Sequence, residues 1–218
     1  MNQIHLIKGL KLNNKGLLVK DESNSWVQIY KRQGTLDGAC AVYVLVMNLL
    51  YLGILCDKDM DIYEKIDKRT KKGKFLAHLL ENQGLIRSGY RYTSLETEIN
   101  SYIRDYVIAK RIYYKNITKI IEQIDLCLVN DIPAMISVCF PEGGSHALLA
   151  IAKETDSRGN ITKLFCIDPS IDGVSFSYWN CIIDISSSYK QEYPFGYVTE
   201  KDKSKIRLDD IIRIEKNK

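Results

Sequence analysis

The 218-residue sequence lacks the features that mark several common classes of protein. Four prolines and 13 glycines are too few for a collagen-like or Pro/Gly-rich disordered chain. No two cysteines have the CxxC spacing of a zinc site, and only three histidines are available as further ligands. The longest apolar run, residues 41–53, is too short to cross a bilayer. The basic excess, 31 residues against 27 acidic ones, is too small to indicate nucleic-acid binding.

The N-terminal residues also lack the apolar stretch of a secretory signal, because Lys8 and Lys11 interrupt it. We therefore expect a cytoplasmic protein with no membrane or nucleic-acid partner. Six dispersed cysteines in such a compartment are expected to be free thiols. Nothing in the sequence predicts a metal or an organic cofactor.

Helical patterns dominate the first part of the chain. The run after Cys40 is apolar on all faces, which is typical of a buried central helix. Helices are predicted over residues 40–51, 58–84, 94–109 and 117–129, with a basic loop at 68–74 and short strands at 16–19 and 26–30.

The pattern changes at Pro133, after which short aliphatic runs alternate with turn residues. Strands are predicted over residues 132–140, 147–152, 161–167, 195–198 and 211–214. We therefore predict a single α+β domain over residues 1–218. Residues 1–130 are expected to be mainly helical, and residues 131–218 to form an antiparallel sheet on which the central helix packs.

Cys40 stands at the predicted N-terminus of the central helix. The positive end of the helix dipole stabilises a thiolate, which is the nucleophilic form of cysteine. Gly38 allows a sharp turn and leaves space for a substrate beside the sulfur. The side-chain amide of Gln33, in the preceding loop, and the backbone N–H of Cys40 are candidate donors to an oxyanion.

His146 begins one predicted strand, and Asp168 ends the next, just before Pro169. Both lie equally far along the chain from Ser157, in the middle of a polar turn. A hairpin centred there places the two residues directly opposite each other, close enough for the carboxylate to orient the imidazole. Asp172 and Asn180 are the alternative candidates for that orienting role.

These residues also carry a resemblance to a known family. The elements Gln33, Gly38-Ala39-Cys40, Ser145-His146-Ala147-Leu148-Leu149 and Ile167-Asp168-Pro169 resemble the papain-like cysteine peptidase superfamily. The histidine strand, turn, and strand ending in Asp-Pro are similar to the bacteriocin-processing, double-glycine leader peptidases and their stand-alone relatives. The resemblance implies a papain-like fold, with Cys40 as nucleophile, His146 as base, Asp168 as orienting acid and Gln33 as oxyanion donor.

The pattern predicts a cysteine peptidase that cleaves a peptide or isopeptide bond of a protein or peptide substrate through a thioester acyl-enzyme. Two alternatives stay open. A thiol acyltransferase, a transglutaminase or a glutamine deamidase uses the same three residue types in the same order. A non-catalytic binding module that keeps the fold is the second alternative. We expect the region 57–93 and the loops 141–145 and 170–192 to select the substrate and the reaction.

Overall fold

The computed structural model describes residues 1–34, 38–60, 65–82, 89–173, 175–186 and 191–217. The strands are β1 (Gln3–Leu6), β2 (Lys11–Asn13), β3 (Gly16–Lys20), β4 (Trp26–Gln28), β5 (Val107–Tyr113), β6 (Ala134–Cys139), β7 (Ser145–Thr155), β8 (Ile161–Ile167), β9 (Cys181–Asp184), β10 (Phe195–Thr199) and β11 (Lys203–Lys216). The α-helices are α1 (Cys40–Tyr51), α2 (Lys71–Ala77), α3 (Tyr92–Tyr102) and α4 (Ile117–Val129). A 3-10 turn covers Asp57–Met60, and a π-helical turn over His78–Asn82 continues α2.

The main sheet closes on itself like a barrel. Strands β6, β7, β8, β9, β10 and β11 pair antiparallel in that order, and β11 pairs back with β6. Strand β1 extends this sheet beside β7, and β5 extends it beside β11. Strands β2, β3 and β4 form a separate antiparallel sheet. Closure removes most of the unpaired strand edges that a flat sheet would present to solvent.

Helix α1 packs against β7 in the main sheet and against β3 in the small one. Nearly all of its residues are buried, as its all-apolar sequence predicts. Its one buried amide, Asn48, donates from Nδ2 to the Pro133 carbonyl at 3.3 Å, which ties the helix to the start of β6. The N-terminus of α1, with Cys40, therefore lies beside the start of β7.

Several predicted elements are confirmed: the helices over residues 40–51 and 117–129 and the strand over 161–167 have the predicted bounds. Residues 1–130 contain the four α-helices named above, but they also contribute β1 and β5 to the main sheet. Parts of the loop predicted before Cys40 and of the helix predicted over 58–84, namely residues 35–37, 61–64 and 83–84, lie outside the described residues.

Two predictions of local structure are wrong. The helix predicted over residues 94–109 ends at Tyr102, and Val107 starts β5. In β5 buried and exposed residues largely alternate, which is a strand period that a long helix would not bury. The basic stretch 68–74 is only partly a loop, because Thr70 accepts a hydrogen bond from the Gly73 N–H at 2.9 Å and so caps α2.

None of the helices in the described ranges combines the length and the apolar character that a bilayer crossing requires.

The burial of α4 predicts that two leucines on this helix contribute differently to the free energy of unfolding. Leu128 is 0% exposed and Leu126 is 41% exposed. Because it leaves a cavity, Leu128→Ala should lower the free energy of unfolding by about 2–5 kcal/mol. The matched variant Leu126→Ala, with the same chemical change on the same helix, should cost less than about 1 kcal/mol. Urea denaturation followed by circular dichroism measures both, and equal losses would contradict the packing of α4.

Candidate functional site

Cys40 and His146 meet where the N-terminus of α1 faces the start of β7. A hydrogen bond joins the Cys40 sulfur to the imidazole, and the backbone N–H groups of Ala41 and Ala147 also donate to the sulfur. Burial alone would raise the pKa of the Cys40 thiol, but these hydrogen bonds and the charge of His146 bring the pKa below its ordinary value. The arrangement favours a thiolate facing an imidazolium.

Asp168 lies on the other side of the imidazole and is 0% exposed. Its Oδ1 accepts from His146 Nε2 at 2.7 Å, and from the backbone N–H and hydroxyl of Ser170 at 2.7 and 2.6 Å. Its Oδ2 accepts from the Tyr197 hydroxyl. Burial would raise the pKa of the Asp168 carboxyl, but these donors hold the pKa below its ordinary value. The carboxylate is therefore ionised and points at the imidazole.

His146 is held between two negative groups. Burial alone would lower the pKa of its imidazole. The hydrogen bonds and charges of Asp168 and Cys40 outweigh burial and raise this pKa to about 10. A thiol, an imidazole and a carboxylate thus form one continuous hydrogen-bonded series from Cys40 to Asp168.

Asn180 and Asp172, the alternative orienting residues, make other contacts. The Asn180 side chain accepts from the Asp168 backbone N–H at 2.7 Å and donates to the Asp168 carbonyl at 2.8 Å. Asp172 pairs with Arg32 at 2.6 Å. Asn180 therefore fixes the backbone of the carboxylate that contacts the imidazole.

The predicted register of the β7–β8 hairpin is wrong, although its two residues do meet. Strand β8 ends with Ile167 opposite Leu149, so Asp168 continues opposite Leu148 rather than opposite His146. The turn runs from Asp156 to Asn160, with Gly159 at φ +85°. Its centre is therefore residue 158, one residue after the predicted centre at Ser157. The pairing of β7 with β8 also contains two register shifts. The resulting offset keeps both side chains on the same face, where they meet diagonally.

Gln33 lies close to the carboxylate end of this series. Its backbone N–H donates to the Pro169 carbonyl at 2.8 Å, and the Tyr30 hydroxyl contacts the Ile171 carbonyl. Residues 30–33 therefore run alongside residues 169–172, and Gln33 itself is half-buried. Its role as an oxyanion donor stays a prediction.

Sequence reasoning missed Ser170 and Tyr197. Ser170 follows Asp168 so closely that its hydroxyl bonds back to the carboxylate, a local motif that the Asp-Pro-Ser sequence does signal. Tyr197 reaches Asp168 only because β10 joins the closed sheet, and no local pattern predicts that pairing. The other two histidines have structural partners: His5 Nε2 bonds to the Leu128 carbonyl at 2.9 Å, and His78 pairs with Glu98 at 3.0 Å.

Two clefts flank His146. The first, of about 460 Å³, contains Cys40 and His146 together with residues of α3, β5, β6 and the bulged part of β11. The second, of about 430 Å³, is bounded by the loop Gly143-Gly144 and by Ser170 and Tyr197. An extended ligand that crosses the histidine would contact both clefts.

One cluster of possible metal ligands lies away from this site, at Glu22, Cys56 and Asp59. The ammonium group of Lys72 pairs with Glu22 and lies 3.2 Å from Asp59. An ion-pair network with a lysine accounts for these carboxylates.

No protein-family model matches the sequence, and no curated protein matches it. Among solved structures, the chain is similar to UfSP from C. elegans, with a TM-score of 0.50 and 13% identity. The match covers 99% of this chain but only 34% of the UfSP chain, so this chain spans about a third of that length. At this identity the likeness concerns the fold, a mixed α and β structure with an antiparallel sheet.

The contacts of Cys40 predict how its alkylation depends on pH. The rate with iodoacetamide, followed by intact mass, should rise with a midpoint below the ordinary thiol pKa of about 8.5, because only the thiolate reacts. In His146→Ala the stabilising contact is lost while the burial remains, so the midpoint should move above that value. A wild-type midpoint above about 8.5 would contradict the thiolate at Cys40.

The contacts of Asp168 predict the titration of His146. Asp168→Asn keeps the side-chain size but removes the negative charge, so the His146 pKa should fall from about 10 towards its ordinary value. NMR of ring-labelled histidine measures this pKa. The control Asp172→Asn removes a carboxylate from the same loop that pairs with Arg32 and should leave the His146 pKa unchanged. An unchanged pKa in Asp168→Asn would show that another group supports the imidazolium.

Proposed function

We propose that the chain is a papain-like cysteine peptidase that hydrolyses a peptide or isopeptide bond. The observation that carries this proposal is the hydrogen-bonded series from the Cys40 sulfur through His146 to the Asp168 carboxylate. The pKa directions give a nucleophilic thiolate beside an imidazolium that can act as an acid, which is the pairing that acyl transfer to a thiol requires. Its likeness in fold to UfSP, a cysteine protease, supports a protease-like function.

The reaction follows from these protonation states. The Cys40 thiolate attacks the carbonyl carbon of the substrate, and the imidazolium of His146 gives its proton to the departing amine as the C–N bond breaks. The product is a thioester between Cys40 and the acyl part of the substrate. His146, now neutral, takes a proton from water, which attacks the thioester and releases a carboxylic acid. The thiolate and imidazolium are then restored, with Asp168 supporting the cation throughout.

The oxyanion formed in both steps requires hydrogen-bond donors. We assign the backbone N–H of Cys40, at the N-terminus of α1, and the side-chain amide of Gln33 to this role. The assignment of Gln33 rests on its place in the order of the motifs, and its backbone N–H contacts the Pro169 carbonyl beside Asp168. Each donor of this kind contributes about 3–4 kcal/mol to transition-state stabilisation.

A protein or peptide substrate suits the two clefts on either side of His146. Gly143 and Gly144 both have positive φ and open space around them, so the wall of the second cleft is low. An extended chain can therefore lie across the histidine. We also propose that, among papain-like peptidases, the chain is most similar to the double-glycine leader peptidases. This part of the proposal rests on the order of the motifs alone.

The region 57–93 is proposed to select the substrate, and its last residues support this because Tyr90 and Tyr92 line the Cys40 cleft. Its basic stretch has a different use. Arg69, Lys71 and Lys72 each pair with a carboxylate of the chain itself. The charge of this stretch alone would suggest contact with an acidic protein partner, but these internal pairs give that contact less support than contact through the tyrosines.

The proposed function predicts cleavage of a peptide library without any added amine, read by mass spectrometry. Cys40→Ala should abolish cleavage, because the thiolate is lost. Asp168→Asn should remain folded and lower turnover by roughly 100-fold or more, because the imidazolium loses its support. The matched control Cys56→Ala removes a half-buried thiol outside the site and should cleave like the wild type.

The products of the peptide-library experiment distinguish a peptidase from a transferase or a deamidase. Amine adducts or deamidated glutamines on an uncut backbone would show a transferase or deamidase built on the same three residues. The absence of any product, together with an unreactive Cys40, would show a non-catalytic module.

A further inference from the structure

The first cleft contains a break in the regular pairing of β11. Leu208 pairs with Val138 and Ile211 with Ile136, so Asp209 and Asp210 together face the single residue Ser137. This is a β-bulge, which re-aims side chains that would otherwise alternate between the two faces of a strand. Both aspartates line the Cys40 cleft as a result.

Asp210 is 8% exposed and only half satisfied. Arg111 directs both of its contacts to one oxygen, Oδ2, from Nε at 2.8 Å and from Nη2 at 2.7 Å. The other oxygen, Oδ1, is buried and accepts no hydrogen bond from any described residue. A buried carboxylate oxygen without a donor is costly, so this atom has an unused capacity to bind a donor.

Tyr92, the first residue of α3, has a second unused group in the same cleft. It is 7% exposed, and its hydroxyl is buried without a hydrogen-bond partner among the described residues. Burial and the negative charges of Cys40 and Asp210 raise the pKa of this hydroxyl, so it stays protonated and lies within electrostatic reach of both groups. The Tyr92 oxygen can therefore accept a hydrogen bond from a ligand bound next to the nucleophile.

We propose that Tyr92 and Asp210, with Asp209, form a subsite that binds a lysine or arginine side chain of the substrate next to Cys40. This inference rests on the proposed peptidase function and specifies what that site selects. The ammonium or guanidinium group would donate to Asp210 Oδ1 and to the Tyr92 hydroxyl, two buried groups on the described lining of this cleft that have no hydrogen-bond partner.

The charges in the cleft favour a cation over a neutral amide. Arg111 pairs with Asp210, whereas Asp209 has no ion pair of its own among the described residues and is influenced through the charge of Arg207. Arg91, also at the cleft, is exposed, so solvent screens its charge. Of the described residues that line the cleft, Asp209 and Asp210 are adjacent carboxylates that share one paired cation, Arg111, so a ligand cation is favoured there over a neutral amide.

The test uses acetylated tripeptide acyloxymethyl ketones, in which the Cys40 sulfur bonds to the methylene carbon and a carboxylate leaves. At each position in turn, the probe carries lysine, arginine, norleucine, glutamine or glutamate, with alanine elsewhere. The second-order rate constant for labelling Cys40 is measured by intact mass. At one position, lysine and arginine should react at least about tenfold faster than norleucine, since a fully desolvated charge contact is worth more than one decade in rate.

The variants identify the groups responsible. Tyr92→Phe removes only a hydroxyl that has no hydrogen-bond partner in the described part of the chain, so the variant should fold normally and reduce the lysine-to-norleucine ratio. Asp210→Asn should bring this ratio close to one, because the amide still accepts from Arg111 but carries no charge. The matched controls Tyr106→Phe and Asp105→Asn change an exposed tyrosine and an exposed carboxylate outside the cleft, and should keep the wild-type ratio.

The ratio of two rates in one variant does not change merely because the variant is less stable or less reactive overall. Equal rates for lysine and norleucine at every position in the wild type, or a lysine preference that survives in both variants, would overturn the subsite while leaving the peptidase intact. A Cys40 that reacts with none of the probes would remove the proposed function, and the subsite with it. As a control, the pH dependence of iodoacetamide alkylation is measured for each variant. A midpoint equal to that of the wild type shows that the substitution does not affect the Cys40 thiolate.

Discussion

The structure around the candidate site depends on one constraint, the burial of the Asp168 carboxylate. A fully buried charge is tolerated only when hydrogen bonds and an opposite charge replace its water. The replacements come from different parts of the sheet: His146 from β7, Ser170 from the loop after β8, and Tyr197 from β10. Asn180, just before β9, holds the backbone of the same residue. The closed sheet therefore brings together the groups that stabilise this carboxylate.

The chemistry at the thiol follows from that carboxylate. Asp168 raises the pKa of His146, and the resulting imidazolium lowers the pKa of Cys40 against the effect of burial. The N-terminus of α1 contributes in the same direction, because the Ala41 N–H donates to the sulfur and the helix dipole is positive at this end. A substitution of Asp168 is therefore expected to change the pKa of the Cys40 thiol through His146, without direct contact between the two groups.

The sequence predicts that Cys40, His146 and Asp168 lie close together, and the patterns behind this prediction can be named. The helix after Cys40 is apolar on all faces and therefore easy to recognise, and the strands with His146 and before Asp168 are bounded by turn residues. The register between β7 and β8 could not be predicted from the sequence, because it depends on the conformation of the turn at Gly159 and on register shifts along β7. The strand over 195–198 is predicted, but the contact of Tyr197 with Asp168 and the strand β5 are not, because both depend on pairings between distant parts of the chain. No local period reports such pairings.

Asp168 and Asp210 show two ways in which a buried carboxylate can serve one cleft. Both oxygens of Asp168 are satisfied by the chain, so the imidazole is already oriented in the empty protein, and the proposed reaction would need little reorganisation there. Asp210 is satisfied at one oxygen only, and with the Tyr92 hydroxyl it leaves two buried polar atoms unpaired. Each such atom costs about 1–3 kcal/mol in the empty protein. A ligand that supplies the missing donors recovers this free energy on binding, whereas an apolar ligand does not. In the proposed peptidase, the unsatisfied pair would therefore discriminate between substrates, while the satisfied carboxylate would support the same chemistry for all of them.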